Sequence, residues 1–201
     1  MDIPASSPEG KDWIHRQLMQ LKRYGINRVI DIGCGAGTYY NYYHSLIGGE
    51  WTGVEIWEPY LKEYNLLNMY SDVIISDASE VDYSSLGQFD VAFVGDVLEH
   101  MPKESALKVI DGLSKICKFI FVSIPIVYYP SEEYDFNPHL RHIKPDWSDS
   151  EVRESFADIV NCQLGETVGT YLITRENMAI EKKKFHFIIR SEEHTSELQS
   201  H

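Results

Sequence analysis

Cysteines are few, positive charge is outnumbered and long apolar runs are missing, and each shortage removes a class of protein. The three cysteines, Cys34, Cys117 and Cys162, show no Cys-x-x-Cys spacing. This excludes a disulfide framework or a zinc knuckle and fits a reducing cytoplasm. Lys and Arg number 18 against 31 Asp and Glu, a formal net charge of −13. That balance argues against a grip on nucleic-acid phosphates or on an anionic membrane face, both of which need clustered cations. No apolar run reaches the ~18 residues of a membrane span, and Met1–Gly10 lacks the basic and apolar parts of a secretion signal. Internal repeats and low-complexity tracts are missing too.

What is present suits one globular domain with a sizeable core: 201 residues, 43% of them hydrophobic and 24% charged. The domain is expected over residues 1–189. The last twelve residues, Arg190–His201, spell one reading frame of a widely used DNA sequencing adapter. They are read as assembly read-through and left out of the fold; the chain stays acidic without them.

The chain is organised around Val29-Ile30-Asp31-Ile32-Gly33-Cys34-Gly35-Ala36-Gly37-Thr38. A short β-branched run predicts a buried strand, and glycines at alternate positions predict a tight turn under a helix N-terminus. Such a turn lets backbone N–H groups approach a ligand. Ahead of it, Trp13, Ile14, Leu18 and Leu21 predict a helix over Lys11 to Arg23, stopped by Gly25. The first strand is expected over Arg28 to Ile32, then a helix over Thr38 to Ile47 closed by Gly48-Gly49. A second strand, Trp51 to Ile56, precedes a helix from Pro59 to Asn68, and a third, Asp72 to Ser76, ends in Asp77. Phe89 to Gly95 is the fourth, followed by a helix over Lys103 to Lys115 and a fifth strand over Phe119 to Ile124. Strands alternating with helices at this pitch indicate βαβ units and a parallel sheet covered on both faces, an α/β doubly wound architecture.

Beyond Pro125 the pattern changes. Tyr128 to Trp147 is proline-rich, charged and aperiodic, as expected of a lid or binding loop. Ser148-Asp149-Ser150-Glu151 reads as a capping box opening a helix to Phe156. Ile159 to Leu164 and Gly169 to Thr174 read as a terminal hairpin.

The glycine pattern separates two kinds of ligand. Dinucleotide-binding domains want G-x-G-x-x-G, and here Thr38 stands where the third glycine belongs. The pattern is G-x-G-x-G led by Asp31, and it resembles that of class I S-adenosylmethionine-dependent methyltransferases of the small-molecule type. Three further stretches extend the resemblance over roughly Trp13 to Thr174: Gly53-Val54-Glu55-Ile56, Asp77-Ala78, and Phe89 to Pro102 with its Leu98-Glu99-His100. The resemblance implies a seven-stranded Rossmann-like sheet of order 3-2-1-4-5-7-6, mostly parallel with an antiparallel C-terminal hairpin. It implies that Asp31, Gly33, Cys34, Gly35 and Gly37 face the methionine part of S-adenosylmethionine. Glu55 with Ile56 would meet the ribose, Asp77 and Ala78 the adenine edge, and Gly95 and Asp96 would complete the cofactor side. A ribose diol offers two donors and one carboxylate two acceptors, so Glu55 at a strand tip is a chemical match.

The implied reaction is methyl transfer to a small molecule by in-line displacement, with an oxygen acceptor expected and nitrogen or carbon as alternatives, and S-adenosylhomocysteine as product. An oxygen acceptor needs its proton removed, and histidine is the natural base near neutral pH. His100, next to Glu99 after the fourth strand, is the leading candidate, with His139 and His142 in the lid behind it. His139 and His142 alone make two ligands without a third, so no metal is expected. Two other readings are a protein that binds the cofactor without transferring methyl groups and a nicotinamide-dependent oxidoreductase. None of the thirteen tyrosines has a lysine four residues on, which counts against the short-chain kind of the latter. A nucleic-acid methyltransferase would carry an Asn/Asp-Pro-Pro-Tyr or Pro-Cys motif, and the fourth strand ends instead in Gly95-Asp96-Val97-Leu98.

Overall fold

The computed structural model describes residues 7–131 and 137–174. The anticipated boundary at residue 189 and the Arg190–His201 tail lie outside the described residues.

Helix α1 (Lys11–Leu21) precedes β1 (Arg28–Ile32), and α2 (Thr38–Ile47) leads to β2 (Glu50–Glu55). Helix α3 (Pro59–Glu63) is followed by β3 (Asp72–Ile75), β4 (Phe89–Gly95), α4 (Lys103–Ile116) and β5 (Cys117–Pro125). Helix α5 (Asp149–Ser155) then leads into β6 (Ile159–Leu164) and β7 (Val168–Thr174). These form a seven-stranded sheet in the order β3-β2-β1-β4-β5-β7-β6. The first five pair in parallel, while β7 runs antiparallel to both β5 and β6. Fold class, strand order and terminal hairpin all agree with expectation.

Alternation along the central strands explains why helices cover both faces. In β4, Val91 and Phe93 face the cluster built on α1 and α2, while Ala92 and Val94 face the one built on α4. Both sets are fully buried, so each strand reads as a continuous apolar run. On the first face an aromatic column crosses the sheet: Trp51 stacks on Phe93 at 5.6 Å and Phe93 on Phe121 at 5.7 Å. Tyr39 and Tyr43 of α2 lie on the same Phe93 ring. The tyrosine-rich helix thus spends these rings on the core, where each buries 150–250 Å2 of largely apolar surface.

Two local expectations change. The helix predicted over Pro59 to Asn68 stops at Glu63 and resumes as a 3-10 turn at Leu66–Asn68, because Asn65 adopts a left-handed conformation with φ 55°. Asn is among the few residues that tolerate this, and its Oδ1 accepts a bond from Asn68 Nδ2 at 3.0 Å. The capping box is half made. Ser148 Oγ accepts the Glu151 N–H at 3.2 Å, but the Glu151 carboxylate turns away to Lys103 and Lys144. Among the described residues no helix is long and apolar enough to cross a membrane.

Candidate active site

Strand β1 breaks into the glycine loop because a side chain there would collide. A Cβ at Gly33, where φ is 63°, would lie 2.4 Å from Val97 Cγ2, so the loop packs directly on the segment leaving β4. The N–H groups of Gly33 and Cys34 both donate to Val54 O, at 2.8 and 3.1 Å. This brings the loop to the end of β2. At Gly35, φ 50°, a Cβ would meet only the loop's own Gly33 O at 3.7 Å, and the residue faces open space. That space is a cavity of about 630 Å3 at the C-terminal edge of the parallel strands, beside the point where the strand order reverses between β1 and β4. Ligands of open α/β sheets bind at such a point.

Most of the residues singled out from the sequence line this cavity. Gly33, Cys34 and Gly35 form one wall, with Glu55 and Ile56, Asp77 and Ala78, and Gly95 and Asp96 around it. Glu55 is 5% exposed and held by two backbone donors, Gly35 N–H on Oε2 at 2.9 Å and Trp57 N–H on Oε1 at 2.8 Å. Burial pushes its pKa up and those donors pull it back. Each carboxylate oxygen keeps a lone pair for a further donor, so Glu55 fits a diol. Asp77 Oδ1 accepts the Ser79 N–H at 2.8 Å. Asp96 adopts φ 55°, a left-handed conformation that aspartate tolerates, while its N–H donates to Ser123 O at 2.9 Å.

Asp31 and Gly37 stand apart from the rest. Neither lies on the cavity wall. Asp31 is 1% exposed behind the loop, where its Oδ2 accepts Tyr70 Oη–H at 2.7 Å and its Oδ1 has no partner. Strand alternation turns it toward the layer of α1 and α2. Burial raises its pKa to about 7 against the pull of Tyr70 and Lys11. Cys34 is also buried, which pushes its thiol pKa up, in keeping with a small space-filling residue.

The four candidate acid–base groups all reach the cavity but divide in two. His139 lies against Trp57 at 5.9 Å, beside Asn137, whose Nδ2 donates to Tyr60 Oη at 2.9 Å. His142 instead meets His100 edge to face at 4.7 Å. Glu99, His100 and His142 each offer a ligand atom within 4.8 Å of the others, so His142 groups with these two and not with His139. Burial, then His142, lowers the His100 pKa to about 4, so the ring is neutral at physiological pH. Glu99 is 2% exposed; burial and the Asp96 charge hold its pKa well above the usual carboxylate range.

Sequence reading missed Lys11. Its side chain is 3% exposed and its Nζ donates to Tyr39 Oη at 2.7 Å. Burial lowers its pKa, while the charges of Asp96, Asp31 and Glu99 raise it. The signal was its position, which falls on the apolar face of α1 with Ile14, Leu18 and Leu21. Tyr60 and Asn137 also line the cavity without having been singled out.

Residues 30–118 match the family model described as a methyltransferase domain. No curated protein sequence matches the chain. Among solved structures, the N-terminal domain of EvdMO1 with S-adenosylhomocysteine bound is 14% identical, with a TM-score of 0.62 over 85% of this chain and 83% of that one. Magnesium protoporphyrin IX methyltransferase from Synechocystis with bound S-adenosylmethionine is 17% identical, at 0.58 over 84% and 79%. An S-adenosylmethionine-dependent methyltransferase from Clostridium acetobutylicum is 11% identical, at 0.63 over 86% and 93%. These likenesses carry the fold, and the family match spans the glycine loop, the Glu55 and Asp77 strand tips and the Leu98-Glu99-His100 segment. Over residues 30–118 the chain matches a methyltransferase domain, on a fold that it shares with S-adenosylmethionine-dependent methyltransferases.

Proposed function

We propose that the cavity binds S-adenosylmethionine and that the protein passes its methyl group to a hydroxyl of a small molecule. One observation carries the reading: a glycine loop with open space before Gly35 and the acids Glu55, Asp77 and Asp96 all surround a single cavity. The cofactor supplies an activated methyl on a sulfonium sulfur, with the thioether as leaving group.

The chain's own residues hold and orient. Glu55 takes the ribose hydroxyls, Asp77 and Ala78 the adenine edge, and Gly33, Cys34, Gly35, Gly95 and Asp96 the methionine end, where carboxylates suit a cation. Asp31 and Gly37 support this wall from behind. Alignment of the acceptor oxygen with the methyl–sulfur bond contributes on the order of 7–11 kcal/mol. The acceptor's proton is drawn off at the cluster of Glu99, His100 and His142, with His139 contributing to the wall near Trp57. The acidic chain favours a small acceptor over nucleic acid, and cysteine usage favours the cytoplasm. Residues 1–189 form the single working domain in this reading, with Arg190–His201 outside it.

The test is ligand choice. S-adenosylhomocysteine at 100 times its dissociation constant should raise the melting temperature, an added stability of ~2.7 kcal/mol, while NAD should leave it unchanged. A shift with NAD alone would refute the proposal.

A further inference from the structure

Glu99, His100 and His142 carry more ligating capacity than a lone general base requires. We propose that these three side chains form a binding site for one divalent transition-metal cation of the Mn2+, Fe2+, Co2+ or Zn2+ kind, at the acceptor end of the cavity.

Four observations converge on it. The ligand atoms, one from each side chain, lie within 4.8 Å of one another, so bonds of ~2.0–2.2 Å to a shared ion need only a side-chain contraction. Both imidazoles are oriented for the task. His100 Nδ1 meets Arg141 O at 3.2 Å and His142 Nδ1 meets Tyr129 O. A carbonyl only accepts, so each Nδ1 carries the proton and each Nε2 keeps its lone pair. A backbone carbonyl holding the far ring nitrogen is the usual outer support of a metal-bound histidine.

Glu99 adds the anion. It is 2% exposed and its Oε2 has no hydrogen-bond partner, an arrangement that costs stability until a cation or donor answers it. An ion between it and the two rings answers it. Finally, the backbone builds the cluster in advance. Lys144 N–H donates to Glu99 O at 2.9 Å and His142 N–H to Ser131 O at 3.2 Å. The lid segment carrying His142 is therefore tied to the turn carrying Glu99 and His100.

Two imidazoles and one carboxylate select against Mg2+ and Ca2+, which prefer all-oxygen shells, and leave coordination positions open. Given the methyltransferase reading, on which this consequence rests, an acceptor hydroxyl taking an open position would lose its proton to solvent more readily. Its oxygen then forms the new bond to the methyl carbon, the sulfur–methyl bond breaks, and that electron pair returns to sulfur.

The site is tested on the full chain, tag-free and chelator-treated. Co2+ is titrated in and followed by calorimetry and visible absorption, and S-adenosylhomocysteine melting shifts are recorded without metal on the same samples. Wild type should bind one equivalent of Co2+, with a ligand-field band. Affinity should fall at least about 10-fold in His142→Ala and in the near-isosteric Glu99→Gln, while both variants keep the S-adenosylhomocysteine shift, which also reports folding. Absence of Co2+ binding, or equal binding by wild type and Glu99→Gln, overturns the proposal. Cation binding without any S-adenosylhomocysteine shift would leave the metal site standing and remove the methyltransferase reading.

Discussion

Glu55 and Asp31 are both buried carboxylates near the glycine loop, yet their surroundings set them opposite tasks. Glu55 lies on the cavity wall with a backbone donor on each oxygen, ready for a diol. Glu55→Ala should abolish the S-adenosylhomocysteine melting shift; an unchanged shift would remove Glu55 from the ribose role. Asp31 lies behind the wall with one oxygen unpartnered, and its folded pKa of about 7 exceeds the ~3.9 of an unfolded aspartate. Between those values the folded chain holds a proton that the unfolded chain has released. Stability therefore falls as pH rises through that window, by up to roughly 4 kcal/mol at 1.36 kcal/mol per unit. Asp31→Asn should flatten this slope in the ligand-free protein. Urea midpoints of both proteins at about pH 4.5 and 7.5 give the check, and parallel curves would contradict it.

Elements set by local pattern were legible in the sequence. Strand β1, α2 and β4 fall where apolar runs and glycines predict them, because both faces of the sheet are buried and the turns demand positive φ. Ser148 shows the same legibility at a helix start: Ser148→Ala should cost about 1 kcal/mol, read as a shift in the urea midpoint, since its Oγ is the cap for Glu151 N–H. The break at Asn65 was not legible, since Pro59 to Asn68 carries an acceptable helical pattern and only tertiary packing of Leu66 and Tyr60 decides the geometry. The same holds for the site. The acids of the cavity wall, Glu55, Asp77 and Asp96, stand at strand tips that the pattern locates, so they could be named in advance. The meeting of His142 with His100 could not, because it depends on where an aperiodic segment of some forty residues' separation returns, and backbone bonds such as Lys144 N–H to Glu99 O leave no mark in a sequence. Lys11 was hidden for a different reason: a lysine at a helix start reads as solvent-facing until its apolar-face position is weighed.

At the scale of the whole molecule, the cavity draws on separate parts of the chain: the first βαβ unit, the end of β3, the turn after β4 and the segment that carries His139 and His142 back to it. The strand tips supply one wall of the cavity, and the non-local return supplies His139 and His142.

On the proposed reading, the buried ammonium of Lys11 bears on the relative binding of cofactor and product. Among the described residues it is the only buried Lys or Arg, set against Asp31, Asp96 and Glu99. Methyl transfer converts a positively charged sulfonium into a neutral thioether, so an acid-rich pocket holds the incoming cofactor more tightly than the spent one. Lys11 tempers that preference. Lys11→Met should widen the ratio of S-adenosylhomocysteine to S-adenosylmethionine dissociation constants by at least about 5-fold, since two unit charges even ~16 Å apart at an effective dielectric of ~20 interact by ~1 kcal/mol. Calorimetry with both ligands measures it, and an unchanged ratio would exclude the effect. In kinetic language, one ammonium at the root of the first helix would act as a governor, trading strength of cofactor capture against resistance to inhibition by the product.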